Sequence, residues 1–282
     1  MSSNKKAILI LWDFTKDAEN SLFHAIQLAK VADNEIILMH IIRKRGLFSS
    51  STVFERKIEE ATYKLNSKVD DIYEISGIKP QIVVKEGNIL GLLNGIIPEF
   101  NVNLLIMGAE YKSSGKKISV KSILSTITKS KTPIIVTESL PSHSHYVEIV
   151  VPIEHDKKYK ETLRWTIYLS KLYKCNLNFI KPYIRDKYQK EDMRKNIYFT
   201  KKMLDKYDIV YGIKTAKKDL DYRDEIYKFA TKIDADLIVA MTKKYHKYVN
   251  IKNKVNSYGS KSQIPIMYIN PRADIRKYGG FR

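Results

Sequence analysis

Residues Val102–Glu138 read VNLLIMGAEYKSSGKKISVKSILSTITKSKTPIIVTE, and they specify the architecture of everything around them. Val102–Met107 is a short apolar run with the continuous hydrophobicity of a strand buried on both faces. It passes through Gly108 into a basic, Ser-rich loop, a helix over about Val120–Ser130, and a second strand entered at Pro133. Such a strand–loop–helix can seat a phosphate: amides at a helix start point outward, and glycine lets them approach closely. The layout recurs over Asp236–Asn270, DLIVAMTKKYHKYVNIKNKVNSYGSKSQIPIMYIN. There Asp236–Met241 is the strand, Lys243–Lys254 the basic loop and helix start, and Pro265–Ile269 the closing strand. Two such units about half a chain apart predict an internal duplication.

The flanking sequence fits that prediction. Lys6–Asp13 (KAILILWD) is an apolar strand with an acidic stop, and Thr15 or Asp17 can cap a helix running to Ala32. Leu22, Ile26 and Ala29 share one face of that helix. Glu35–Ile42 is a second strand, Val53–Ser76 a long amphipathic helix, Pro80–Val84 a third strand and Ile89–Phe100 a short helix. Leu140–Tyr146 (LPSHSHY) has Pro, Ser and His in place of apolar periodicity and serves as a linker. The order then restarts: strand Glu148–Ile153, helix Lys157–Leu172, strand Asn176–Ile180, helix Lys187–Asp208, strand Ile209–Ile213 and helix Tyr222–Ile233. Strands alternating with helices through short connections specify open parallel sheets covered on both faces. The expected domains are 1–139 and 147–271, joined by 140–146 and followed by a basic tail, 272–282.

Composition bounds the function. The chain has 282 residues, enough for two ordinary domains, and a hydrophobic content of 44% supports packed cores. One cysteine, Cys175, excludes an intrachain disulfide and fits a reducing compartment. No apolar run approaches the ~20 residues of a membrane span, and the run after MSSNKK is too short for a signal peptide, so the expected location is the cytoplasm. Net charge is +19. Up to Tyr146 there are 19 Lys/Arg against 15 Asp/Glu, and from Val147 onward 31 against 16. A basic second half attracts polyanions, although the Lys-, Ile-, Asn- and Tyr-rich composition also fits AT-rich coding, with the basic residues scattered through many segments.

With AILILWDFTKDAENSLFHAIQLAK at the start, EIILMHII in the second strand and the run from Leu104 to TPIIV, the chain resembles the universal stress protein family in its tandem two-domain form. VEIVVPIEHDKKYKETLRWTIYLSK and DADLIVAMTKKY carry a thinner likeness in the second half. The resemblance implies two α/β domains of the adenine nucleotide alpha hydrolase-like type, with strand order 3-2-1-4-5, packed as a pseudo-dimer through Pro133–Thr137 and Pro265–Ile269. Nucleotide-binding members place an acidic residue after strand one, a small apolar residue at the end of strand two, and a glycine-rich phosphate loop after strand four. Carried over by position, these are Asp13, Ile41, Met107 with Gly108, a displaced Gly115, and Ser122, for ATP or AMP. The sequence departs from the pattern in three places: Tyr111 stands where the second glycine belongs, Lys121 replaces the last, and Trp12 can fill the adenine pocket. Lys116, Lys117 and Lys121 offer side-chain charge in exchange, but as flexible point charges. In the second half Met241 replaces the first glycine, and none follows until Gly259. The Asp13 and Pro133 positions are repeated by Glu154 and Pro265.

No catalytic or metal-ligating constellation emerges. Asp13 can meet a ribose hydroxyl or serve a helix start. His143 and His145 flank Ser144 in the linker without a neighbouring carboxylate in sequence, which favours two solvated histidines over a metal site. His40 lies within a buried strand, and Cys175 opens a strand with no partner in sequence for nucleophilic chemistry. Tyr and Lys interleave in Lys181–Lys206 and Lys243–Lys254, a pairing that can hold single-stranded nucleic acid. Amphipathic helices ordinarily pack such tyrosines and leave the lysines in water. The leading expectation is a non-catalytic stress-response factor that works through protein partners and self-association. The alternatives are a regulatory adenine nucleotide in the first domain, and an RNA- or ribosome-associated basic protein.

Overall fold

A computed structural model describes residues 5–42, 51–113, 116–127, 130, 132–156, 158–218, 220–242 and 264–270. The backbone divides into two compact units, Met1–Pro141 and Ser142–Arg282. In the first unit the elements are β1 (Ala7–Leu11), α1 (Lys16–Ala32), β2 (Glu35–Ile42), α2 (Ser51–Ser76), β3 (Gln81–Glu86) and α3 (Ile89–Glu99). They continue with β4 (Val102–Gly108), β5 (Tyr111–Ser113), β6 (Lys116–Ile118), α4 (Val120–Thr126) and β7 (Ile134–Thr137). The parallel strands pair in the order β3-β2-β1-β4-β7. The second unit contains β8 (Glu148–Pro152), α5 (Tyr159–Tyr173), β9 (Asn176–Lys181), α6 (Lys187–Lys206), β10 (Tyr211–Thr215), α7 (Tyr222–Lys232), β11 (Leu237–Met241) and β12 (Ile266–Ile269). Its strands pair in the order β10-β9-β8-β11-β12, all parallel. Numbered by parallel strands alone, each unit has the order 3-2-1-4-5.

The central strands are apolar throughout because helices cover both faces. All five residues of β1 and all five of β11 are buried. Helix starts follow from local chemistry: Thr15 caps α1 by accepting from the Ala18 amide, and Asp17 and Glu19 in the first turn oppose the positive end of the helix dipole. Asp186 and Asp221 cap α6 and α7 in the same way.

Left-handed residues recur at matching places. Asp33 (φ 50°) ends α1 and Lys174 (φ 53°) ends α5. Gly77 (φ 72°) follows α2 as Asp208 (φ 53°) follows α6, and Asn101 (φ 51°) precedes β4 as Asp234 (φ 52°) precedes β11. Only one of the six is glycine, so the backbone path recurs where the residue type does not. This shared path supports the duplication independently of sequence identity.

The loop after β4 departs from expectation. The sequence predicts an irregular basic loop, yet β5 and β6 pair antiparallel, with Tyr111 opposite Ile118 and Ser113 opposite Lys116. Alternating burial explains the ribbon: Tyr111 and Ser113 face inward and Lys112 faces water. Ser114 and Gly115 lie outside the described residues, as do the Lys243–Lys254 segment, Gly259 and the 272–282 tail.

Candidate functional site

In a sheet of order 3-2-1-4-5, helix crossovers change direction at the first strand, leaving a crevice at the carboxyl ends of strands one and four. In the first unit that crevice lies where β1 runs out between β2 and β4. Register pairs Leu11 with Met39 and Ile10 with Ile106, so Trp12–Asp13, Ile41 and Met107–Gly108 emerge at one edge. Four of the positions carried over from sequence therefore meet here: Asp13, Ile41, Met107 and Gly108. Ile41 and Met107 are fully buried.

Asp13 is already engaged within its own chain. Its Oδ1 accepts from the Thr15 amide at 3.1 Å and from the Thr15 hydroxyl. Its Oδ2 accepts from the Lys112 amide of β5 at 2.7 Å. The Thr15 bonds form an Asx-type turn that starts α1, with Thr15 as the capping residue. The Lys112 bond draws the β5–β6 ribbon onto the strand ends.

Tyr111 is carried in by the same contact. It is 1% exposed, and its hydroxyl faces the Ile41 backbone without a hydrogen bond of normal geometry. Burial, reinforced by the Asp13 charge, pushes its phenol well above the ordinary range. Trp12 is 2% exposed, with an unpartnered indole N–H. Its amide donates to Met39 O at 2.8 Å, and its carbonyl accepts from His40 Nδ1 at 2.8 Å. His40 is thus satisfied as a donor, and burial lowers its pKa. Phe14, held at φ 59°, lays its ring 4.8 Å from His40 and 6.2 Å from Trp12.

Gly108 has a packing reason of its own. A Cβ there would lie 2.5 Å from Asp17 Cβ and 3.2 Å from the Asp17 carbonyl carbon. The close seating of α1 on β4 therefore demands glycine whether or not a phosphate approaches. Ser122, in the first turn of α4, has its hydroxyl 2.9 Å from that of Ser119, and its amide donates to Ser119 Oγ at 3.2 Å. Lys117 is paired with Glu110, while Lys116 and Lys121 are exposed. Gly115 falls outside the described residues.

A polar face on α1 went unnoticed in the sequence. Buried Ser21 shares a 2.8 Å hydrogen bond with Thr137, Asn20 Nδ2 donates to Glu138 O at 3.1 Å, and His24 Nε2 donates to Ser139 O at 3.1 Å. Their spacing places them on one helix face, the only signal available beforehand.

The second unit closes its strand ends differently. Glu154, at the position of Asp13, is buried, and Asn196 of α6 donates to the carbonyls of Glu154 (2.6 Å) and Asp156 (3.1 Å). The Tyr222 hydroxyl of α7 donates to Ile180 O at 2.7 Å. At the opposite edge His143 is not the solvated linker residue expected. Its Nδ1 is 2.6 Å from Asp236 Oδ1 and its Nε2 is 3.3 Å from Asp234 Oδ2. Asp236 Oδ2 also accepts from the Val147 and Glu148 amides, at 2.7 and 3.0 Å. The Asp236 hydrogen bond and charge raise the His143 pKa.

Residues 5–137 match the model of the universal stress protein family. The first unit is similar to the universal stress protein family over nearly its whole length. Among solved structures, a universal stress protein from Archaeoglobus fulgidus DSM 4304 is similar over 96% of this chain and 100% of its own, with 16% identity and a TM-score of 0.69. A protein assigned to the same family from Pseudomonas aeruginosa UCBPP-PA14 covers 95% of this chain and 94% of its own, at 12% identity and TM-score 0.56. A functionally unknown protein from Pseudomonas aeruginosa PAO1 covers 95% and 93%, at 12% identity and TM-score 0.54. At these identities the likeness is one of fold, and it extends over both halves of the chain. No curated protein sequence matches the chain. Among the described residues no helix is long and apolar enough to cross a membrane, and no group of three or more His, Cys, Asp or Glu could hold a metal.

Proposed function

We propose that the protein is a non-catalytic universal stress-type factor that acts in stress adaptation through contacts with other proteins, its first-unit ligand position filled by its own chain. The observation that carries this is the β5 contact: the Lys112 amide on the Asp13 carboxylate, with Tyr111 buried beside Ile41. A ribose hydroxyl would have to compete with a bond already made inside the chain. An adenine ring would have to displace a buried aromatic side chain.

The chemistry of the other candidate groups supports the non-catalytic part. His40 spends its Nδ1 proton on the Trp12 carbonyl, and burial pushes the Cys175 thiol up to about 12, away from a thiolate. A second reading keeps ATP or AMP as a regulatory ligand in the first unit. In its favour is a buried donor without a partner, the Trp12 indole N–H, which a polar ligand displacing β5 could satisfy.

Thermal unfolding with and without ligand separates the two. A nucleotide with a Kd near 10 μM, supplied at 1 mM, would stabilise its unit by about 2.7 kcal/mol. We expect no shift with ATP or AMP. A shift of that size moves the assignment to the nucleotide-binding alternative.

A further inference from the structure

We propose that the outer surface of α6, with the neighbouring face of α5, binds single-stranded polynucleotide. The buried side of α6 is made by Met193, Asn196, Thr200, Met203 and Leu204. Against the packing expected from sequence, two of its tyrosines take no part in that core: Tyr188 is 83% exposed and Tyr198 is 70% exposed.

Tyr188, Lys195, Tyr198 and Lys202 follow one another at spacings of seven, three and four residues, which puts them on one helix face. Over its length α6 carries seven Lys/Arg against three Asp/Glu. Glu191 and Asp192 lie at 3.9 Å from Lys195, and Glu191 at 3.7 Å from Arg194, so part of the acid is offset locally. Lys202 adds an exposed cation beside Tyr198.

Helix α5 lies alongside. The Lys160 ammonium is 4.5 Å from the centre of the Phe199 ring, and that of Lys171 is 3.5 Å from the Tyr207 ring. Tyr168, also on α5, is 44% exposed.

A face of rings in water with cations between them suits a chain of phosphates and bases. The bases stack on tyrosine and the phosphates pair with lysine, without sequence preference. Duplex keeps its bases stacked internally, so exposed rings favour a single strand. Tyr188 and Tyr198 are about 15 Å apart along the helix axis, far enough for each to stack on a different base of one strand. The excess of 31 Lys/Arg over 16 Asp/Glu from Val147 onward supplies the long-range attraction. The inference is independent of what occupies the first unit's strand ends.

The test is fluorescence anisotropy of labelled 20-nucleotide oligouridine and oligothymidine with the full chain, with a duplex of equal length alongside. We expect binding to single strands of either sugar. With about three phosphate contacts at a slope of about −0.7 per contact, affinity should fall about twenty-fold between 50 and 200 mM salt. Tyr188→Ala and Tyr198→Ala should each weaken binding about tenfold, with an unchanged unfolding curve. Lys195→Glu with Lys202→Glu should weaken it more than Lys57→Glu with Lys79→Glu, an exposed pair in the first unit that changes the net charge equally. No binding at 50 mM salt would overturn the proposal. So would duplex bound as tightly as single strand, tyrosine variants without effect, or equal loss from both lysine pairs. Binding to anionic vesicles in place of oligonucleotide would reassign the surface to lipid and equally overturn it.

Discussion

At the scale of single residues, the glycine after the fourth strand has a packing role that needs no ligand to explain it. Gly108 is demanded by Asp17, whose Cβ a new methyl would meet at 2.5 Å. Gly108→Ala should therefore destabilise the first unit by about 2 kcal/mol, the cost of overpacking a closely seated helix. Urea unfolding measures it, and an unchanged midpoint would mean that α1 yields without cost. Asp13, Ile41, Met107 and Gly108, marked beforehand by the family resemblance, meet because the strand order gathers the ends of β1, β2 and β4. The service of Asp13 at the helix start was legible, but its hold on β5 was not. Its partner, the Lys112 amide, is a backbone group ninety-nine residues away, and no side-chain pattern announces it. The tyrosine in a glycine position and the tryptophan before Asp13 were the warnings, and both side chains are buried.

Among elements, the clasp between the start of the second unit and β11 was the larger surprise. His143 and Asp236 are far apart in sequence, so spacing could not pair them, and the linker composition pointed to solvent. The structure sets His143 between Asp234 and Asp236 while Asp236 holds the first amides of β8. The pH dependence follows from linkage. His143 has a folded pKa above its unfolded one, so its stabilisation is complete below the ordinary histidine range and is lost as pH rises through the raised folded value. His40 acts in the opposite sense. Its lowered folded pKa removes stability as pH falls through the ordinary range. The difference between wild type and His143→Gln isolates the first effect. Urea unfolding from pH 5.5 to 8.5 should show the wild-type advantage shrinking as pH rises, and a constant difference would contradict the clasp. The β5–β6 ribbon was also illegible, since three residues per strand are too few for periodicity to be read in a basic, Ser-rich loop.

For the molecule as a whole, duplication explains what the two units share and local sequence explains what they do not. The recurring left-handed positions keep one backbone path in both units, with Lys174 and Asp208 accepting conformations that glycine would take more readily. The strand ends have diverged. One unit is covered by its own ribbon through Tyr111 and Lys112, the other by Asn196 and Tyr222 from its helices. In the first unit the crevice is occupied by the chain's own backbone and ring, through Lys112 and Tyr111. The most direct measurement is the amide hydrogen-exchange rate of Lys112, with and without ATP at millimolar concentration. The expected result is a protected amide whose rate ATP does not change. Loss of protection at Lys112 on adding ATP, as β5 gives way to a nucleotide on Asp13, would contradict it.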